Sequence, residues 1–489
     1  MSQKRTWMQI GILGLTAAVS LGGYLVYSAR YFRVGFPLDD AWIHQTYARN
    51  LALKGEWAFI PGHPSAGSTS PLWTLLLAPG HWLPLSPYLW TFLLGWLSLV
   101  GVGLLGMRIF QRLAPSRARL AGWAGLFLVL EWHLVWAAGS GMETLLFSLL
   151  VLAVLGELVG ERQNWLLLGC LVGVSVWLRP DGITLVGPVL LALGASEKSW
   201  HKRWSFAAAF GMGGLLVVVP YLWMNLELSG AWLPNTFFAK QAEYAVHRQI
   251  PLWIRYAQQL RQLVIGAGIL LVPGFVLSLA EAFRRRAWGS IAGALWMLGY
   301  LFIYALRLPV TYQFGRYIIP AMPVYFIWSL AGVSIFVRPF EAVRWRWLLG
   351  RVWLSSLALV SLSFWFVGGR AYAQSVAIIE SEMVDMARWI SENTEPQALI
   401  AAHDIGALGY FGQRPLVDLA GLVLPQVIPF LRDEKRLATF ISDSDAAYLM
   451  TFPGWYPELI QGGSLVFCTQ GRYSPLQGGE NMCLYRWSQ

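Results

Sequence analysis

Charge is scarce in this sequence. Asp, Glu, Lys and Arg make up 13% of its 489 residues, against about 25% in a typical soluble domain. The shortage argues against an ordinary water-soluble enzyme. With 56% hydrophobic residues and a mean hydropathy of +0.51, it points to a polytopic membrane protein. Cysteine is nearly absent. Three residues exclude a disulfide-framed scaffold and offer no metal-type spacing. Cys170 lies in an apolar run and reads as packing, whereas Cys468 and Cys483 fall in the C-terminal tail, where one disulfide is permitted if the tail lies outside the membrane. Nucleotide-type glycine spacing is also missing. The glycines of "DIGALGYFG" stand in the wrong order for a dinucleotide or Walker loop. No catalytic serine motif and no convincing internal repeat occur.

The charge that is present is unevenly placed. Residues 1–369 hold 28 of the 36 Lys and Arg but only 13 of the 26 Asp and Glu, whereas residues 370–489 carry a net negative charge. The excess sits in short loops between apolar runs, so it sets membrane orientation; no nucleic-acid partner is expected. Apolar runs of spanning length cover 8–27, 88–107, 120–138, 141–159, 205–224, 262–280, 288–305, 318–336 and 347–367, and two shorter ones, 165–178 and 183–195, flank "RPDG". The expected fold is a polytopic α-helical membrane protein with about eleven transmembrane helices. Basic clusters at Lys4–Arg5, Arg108–Arg119, Lys198–Arg203, Arg284–Arg286 and Arg338–Arg346 then fall on one side, which the positive-inside rule makes cytoplasmic. The first run reads as a retained anchor, and 70–83 as an interfacial or re-entrant helix.

This topology places the N-terminus in the cytoplasm and the loops 28–87 and 225–261 outside. The expected domains are a membrane part, 1–369, and an extracytoplasmic tail, 370–489. In the tail, 374–393 has helical periodicity, and "QALIAAHD", "PLVDLAG" and "KRLATFISDSDAAYLMTF" read as strands and a helix, a small α/β domain.

The residues suited to chemistry gather at the outer ends of the runs. Asp39 and Asp40 sit side by side among Phe36, Leu38, Trp42 and Ile43. One reading is a turn that caps the helix after Leu38. The other is that repulsion and lost hydration raise the proton affinity of one carboxylate and make it a general base. His44, Tyr47 and Arg49 follow, with His44 one helical turn beyond Asp40. Ser68 and Thr69, in "GHPSAGSTSPLW", suit sugar hydroxyls or a phosphate. Glu143, Arg179, Asp181, Asn235, Lys240 and Arg316 recur at the same side. Charges beside hydrocarbon are costly and normally face a cavity or a partner. A shared outer-face site explains them together, with the cations placed to hold a lipid-linked phosphate.

The ordered set "DDAWIHQTYARNLALKGEW", "GHPSAGSTSPLW", "GSGMETLLFSLL", "LRPDG", "LPNTFFAK", "GRYIIPAMP" and "DIGALGYFGQRPLVDLAGL" spans residues 36 to 422. It resembles the GT-C superfamily of membrane glycosyltransferases, in particular bacterial members similar to mycobacterial terminal arabinofuranosyltransferases. The resemblance implies an enzyme that takes a sugar from a polyprenyl-phosphate carrier at the outer leaflet of a bacterial-type plasma membrane. The sugar passes, usually with inversion, to a hydroxyl of a glycan, glycolipid or protein. It also implies Asp40 or Asp39 as base, with Asp40 preferred, and Arg316 as a phosphate contact. Lys240 and Arg179 stand beside it as further phosphate-binding candidates, and His44, Tyr47, Ser68, Thr69, Glu143, Asp181 and Asn235 as sugar- or acceptor-binding candidates. Trp42, His44 and Gln45 depart from the family's first motif, so arabinofuranose and hexoses all stay open. No cofactor is expected to be obligatory; the carboxylates could take a divalent metal, but no ligand cluster is spelled out. A flippase, ligase or polymerase of lipid-linked glycans is the alternative.

Overall fold

The structure is a computed structural model that describes residues 3–336 and 344–487. Arg338, among the basic residues counted above, lies outside them. Six described helices are long and apolar enough to cross a membrane: Trp7–Tyr31, Pro87–Leu113, Trp200–Ser229, Gly266–Arg285, Trp288–Arg307 and the unit Trp347–Asn393. The chain is a multi-pass membrane protein. The expectation of about eleven spans is overturned, because the count is six, or seven if one bent pair forms a single span.

The reason is physical. The run 120–138 breaks at Glu131, where Pro115–Leu130 and Trp132–Ala138 diverge by 58°. The Glu131 carboxylate accepts the amides of His133 (2.9 Å) and Leu134 (3.1 Å) and so caps the second piece. Four other runs form the shorter helices Thr144–Val159, Trp165–Leu178, Pro180–Ser196 and Ile319–Ser334. A span needs about 20 residues. Ile319–Ser334 is buried almost throughout: it is apolar because protein surrounds it. By contrast, only 17% of the apolar window of Trp200–Ser229 is buried. That long helix meets Trp165–Leu178 through glycines. A Cβ on Gly169 would stand 2.1 Å from the Phe210 carbonyl oxygen, and one on Gly213 would stand 2.3 Å from that of Leu166, an approach only small residues allow.

Between the first two long helices the chain carries the helix Asp40–Lys54, then a two-stranded hairpin, β1 (Ala58–Ile60) and β2 (His63–Pro64). Residues 70–83 give a short helix, Pro71–Leu77, and one 3₁₀ turn. The last long helix runs through residue 370 without a break, loosens into a π turn at Ile379–Val384 and ends at Asn393. Beyond it lie β3 (Ile400–Ala402), β4 (Leu416–Asp418), β5 (Tyr448–Thr451), β6 (Gly463–Cys468) and β7 (Cys483–Trp487). Their order is β4-β3-β5-β7-β6, with β3 parallel to both neighbours and β7 antiparallel to β5 and β6. Cys468 and Cys483, cross-strand partners, form a disulfide.

One core joins the helices to one face of this sheet, through Ile400, Ala402, Met450 and Leu484. The other face, with Val417, Leu449 and Trp487, packs on Leu437 and Ile441 of the helix Glu434–Asp443. The buried Glu382 of the π turn accepts the Met482 amide (3.0 Å) and the Asn481 side chain (3.2 Å). The sheet is thereby tied to the helical body, and the loops at one end of β3–β5 are held over the helix that begins at Asp40.

Candidate active site

Asp40 is the first residue of its helix, and its side chain is 25% exposed. Its Oδ2 lies 2.9 Å from Lys240 Nζ and 2.8 Å from Arg316 Nη2. Lys240 comes from the short helix Asn235–Glu243. Arg316 follows a turn in which Gln313, Phe314 and Gly315 are all left-handed, with φ of 52°, 59° and 67°. Burial opposes ionisation of Asp40, but Lys240 and Arg316 outweigh it and hold the carboxyl well below the usual range. The same pairing raises Lys240 above its ordinary value against the effect of burial.

Two cavities meet at this triad. The first, about 300 Å³, is also lined by Thr69, Glu143, Arg179 and Asp181. Arg179 organises it: its Nε is 3.1 Å from Asp181 Oδ2, its Nη1 is 3.6 Å from Glu143 Oε1, and its Nη2 donates to the Tyr304 hydroxyl at 2.8 Å. Glu143 Oε2 makes no hydrogen bond among the described residues; His44 Nε2 stands 3.8 Å away. The second cavity, about 860 Å³, adds Asp39, Glu243 and the loops that follow β3, β4 and β5.

The sequence-selected residues thus divide. Asp40, Lys240, Arg316, Arg179, Glu143, Asp181 and Thr69 share the first cavity. His44, Tyr47, Ser68 and Asn235 line neither. They are buried supports. His44 Nδ1 contacts Ser68 and Thr74, Tyr47 bonds Ser65 and the Gly67 amide, and the Asn235 amide donates to Ala66. Burial lowers the proton affinity of His44.

Asp39 corrects the capping expectation. It makes no cap to its own helix. Its two carboxylate oxygens instead accept the amides of Gly406 and Ala407, both at 2.8 Å, and cap the helical turn that starts there. Gly406 has no alternative, since a Cβ would stand 2.1 Å from the Asp39 carbonyl oxygen. Burial, then Asp404, push the Asp39 carboxyl up to about 8 against those two amides. The folded chain therefore holds a proton that the unfolded chain releases near pH ~4, and stability should fall as pH rises toward about 8. Thermal unfolding in nanodiscs between about pH 5 and pH 8 checks this: the Asp39→Asn variant should show a shallower fall than wild type. Asp39→Ala should lose about 1–3 kcal/mol for each amide left unpaired.

Sequence reasoning missed the second cavity's own groups: Glu243, His403, Asp404, Trp455 and Tyr456. The available signal was "HD" directly after a short apolar strand, the place where parallel sheets expose ligand-binding loops.

Comparison with known proteins adds the following. Residues 371–485 match a family described only as a domain of unknown function (DUF8728). No curated protein matches the chain. Among solved structures, ArnT from Cupriavidus metallidurans bound to undecaprenyl phosphate is 17% identical, with 97% of this chain and 98% of that chain covered and a TM-score of 0.64. The oligosaccharyltransferase AglB from Archaeoglobus fulgidus, with an inhibitory peptide and a dolichol-phosphate, is 11% identical, at 100% and 75% coverage and a TM-score of 0.60. The arabinofuranosyltransferase AftD from Mycobacteria is 16% identical, at 99% and 42% coverage and a TM-score of 0.56. This chain shares the fold of these three solved structures. Identities of 16% and 17% do not set the arabinofuranosyltransferase apart from ArnT.

Proposed function

We propose that this protein is an inverting glycosyltransferase that moves a sugar from a polyprenyl-phosphate donor to a hydroxyl acceptor at the outer face of the membrane. The reading rests on one observation: a half-buried carboxylate, Asp40, clamped by Lys240 and Arg316 where two cavities meet. The carriers bound by ArnT and AglB, undecaprenyl phosphate and a dolichol-phosphate, give the donor chemistry its precedent. The N-terminus would be cytoplasmic, and residues 370–489 would form an extracytoplasmic domain.

The chemistry follows from the clamp. With no donor, the two cations suppress the basicity of Asp40. A donor phosphate entering beside Arg179 competes for Lys240 and Arg316, and each contact it takes leaves Asp40 a stronger base. The acceptor oxygen attacks the anomeric carbon as Asp40 takes its proton. The carbon–oxygen bond to phosphate breaks, and the phosphate leaves as an anion in the field of Arg316, Lys240 and Arg179. Asp40 then returns the proton to water. Glu143, with an unpaired oxygen, and Asp181 are placed to accept hydroxyl hydrogens of the donor sugar, an arabinofuranose or a hexose. Three fixed cations supply the positive field, so no metal is obligatory in this scheme.

The test is transfer by purified protein in nanodiscs, offered polyprenyl-phosphate arabinofuranose, mannose or glucose with an envelope glycolipid extract. Polyprenyl phosphate release in step with a new glycoside, unaffected by a chelator, is the expected result. Donor crossing the bilayer intact, with no glycoside formed, would replace this reading with a flippase.

A further inference from the structure

The sheet has a ligand crevice of its own. From β3 the chain goes to β4 on one side and afterwards to β5 on the other, and all three strands are parallel. In such sheets the connections part at the carboxyl ends of the strands and leave a crevice where ligands bind. Here the loops at those ends, with His403 and Asp404 after β3, Leu422 after β4 and Trp455 and Tyr456 after β5, line the same cavity as Asp40. The geometry points to a carbohydrate-acceptor subsite in this crevice, built on Trp455 as a ring platform and on Asp404 as a hydroxyl acceptor.

Trp455 is 50% exposed yet held in place. His403 meets it edge-on with ring centroids 5.3 Å apart, and Phe452 packs at 5.2 Å. The Gly454 amide just before it donates to Glu480 at 2.5 Å. A fixed, half-open indole beside polar groups is what the C–H face of a sugar ring stacks on. The polar groups are suited to hydroxyls. No hydrogen bond or ion pair joins the Asp404 carboxylate to another described residue, so it is free to accept. His403 is anchored by the Tyr456 hydroxyl (2.7 Å, Nδ1) and faces Glu243 (3.8 Å, Nε2). The carboxylates Asp404, Glu243 and Glu480 share this lining with the cations Lys240, Arg316 and Arg432. An uncharged sugar, with hydroxyls that both donate and accept, suits a lining of mixed sign. Burial raises the proton affinity of the Asp404 carboxyl, with His403 opposing the shift and Asp40 and Glu243 adding to it. The subsite's role as acceptor site rests on the transfer reading; its affinity for sugar does not.

The full-length protein in nanodiscs would be titrated calorimetrically with uncharged trisaccharides of arabinofuranose, mannose or glucose and with Ser/Thr-containing peptides. Undecaprenyl phosphate is the control ligand. At least one trisaccharide should bind. Trp455→Ala, on a half-exposed loop, should weaken it about tenfold or more, and Trp455→Phe should retain most of the affinity. Asp404→Asn should weaken the trisaccharide, and undecaprenyl phosphate binding should be the same in every variant. Peptides binding in place of sugars, or a trisaccharide indifferent to Trp455→Ala, would overturn the subsite. Sugar binding without undecaprenyl phosphate binding would keep the subsite and sink the transfer reading. Carrier binding without sugar binding would sink the subsite alone.

Discussion

Replacing Asp40 with asparagine should lower the transfer rate by about 10²–10⁴-fold, the range a positioned general base supplies, while donor affinity stays level or rises. The second half of this expectation is the sharper one. Asp40 occupies Lys240 and Arg316 at 2.9 and 2.8 Å, so a donor phosphate must compete with it. Asparagine is neutral and nearly isosteric: it takes no proton, and it gives up the cations more readily. Initial rates and donor binding, both measured in nanodiscs, check the two halves. If donor affinity fell together with the rate, Asp40 would be a counter-ion that shapes the phosphate site, and the proton would have to go elsewhere. Asp39 is the natural contrast. Its oxygens are spent on Gly406 and Ala407, so Asp39→Asn should act through stability and its pH dependence, with a far smaller loss of rate.

How much of this was legible beforehand differs from residue to residue. Asp40, Lys240, Arg179 and Arg316 could be selected singly, because a charge at the end of an apolar run needs a partner. Their convergence could not be read: Lys240 and Asp40 are 200 positions apart. Asp39 was legible as a cap but not as a cap for a turn 367 positions later. A carboxylate carries no mark of which amides it will meet. The span count failed for a related reason. Hydropathy reports that a segment avoids water; lipid and protein interior satisfy that equally, and Ile319–Ser334 took the second. Glu131, in the middle of the run 120–138, was the visible sign of a break. A lone acid in an apolar stretch can cap a new helix start as readily as it can face a partner, and here it caps. The strands β3, β4 and β5 and the helix Glu434–Asp443 follow the predicted segments, whereas β6 was not selected although it carries the apolar run Leu465–Cys468, part of which stays exposed.

Arg316→Gln should raise the donor dissociation constant about tenfold or more and lower the transfer rate by a further 10²–10³-fold or so, the scale of one lost transition-state charge contact. The fold invests strain in this side chain. Gln313 and Phe314 are both left-handed without being glycine, a conformation that costs roughly 1–2 kcal/mol per residue. Phe314 secures the turn by presenting its ring to the edges of Trp132 and Trp136, with centroids 5.4 and 5.6 Å apart. The backbone is thereby forced to aim Arg316 at Asp40, where a relaxed turn would send it elsewhere. Lysine should not restore activity, because a point charge on a flexible stem lacks the planar fork that meets two phosphate oxygens together. Phe314→Ala should reproduce part of the Arg316 defect from a distance, since it releases the turn and leaves the guanidinium intact. Donor binding and single-turnover transfer would be measured for all three variants. A loss in rate alone would confine Arg316 to the departing phosphate. No loss in either would mean that Lys240 and Arg179 hold the phosphate without it, and the strain at 313–315 would need another cause.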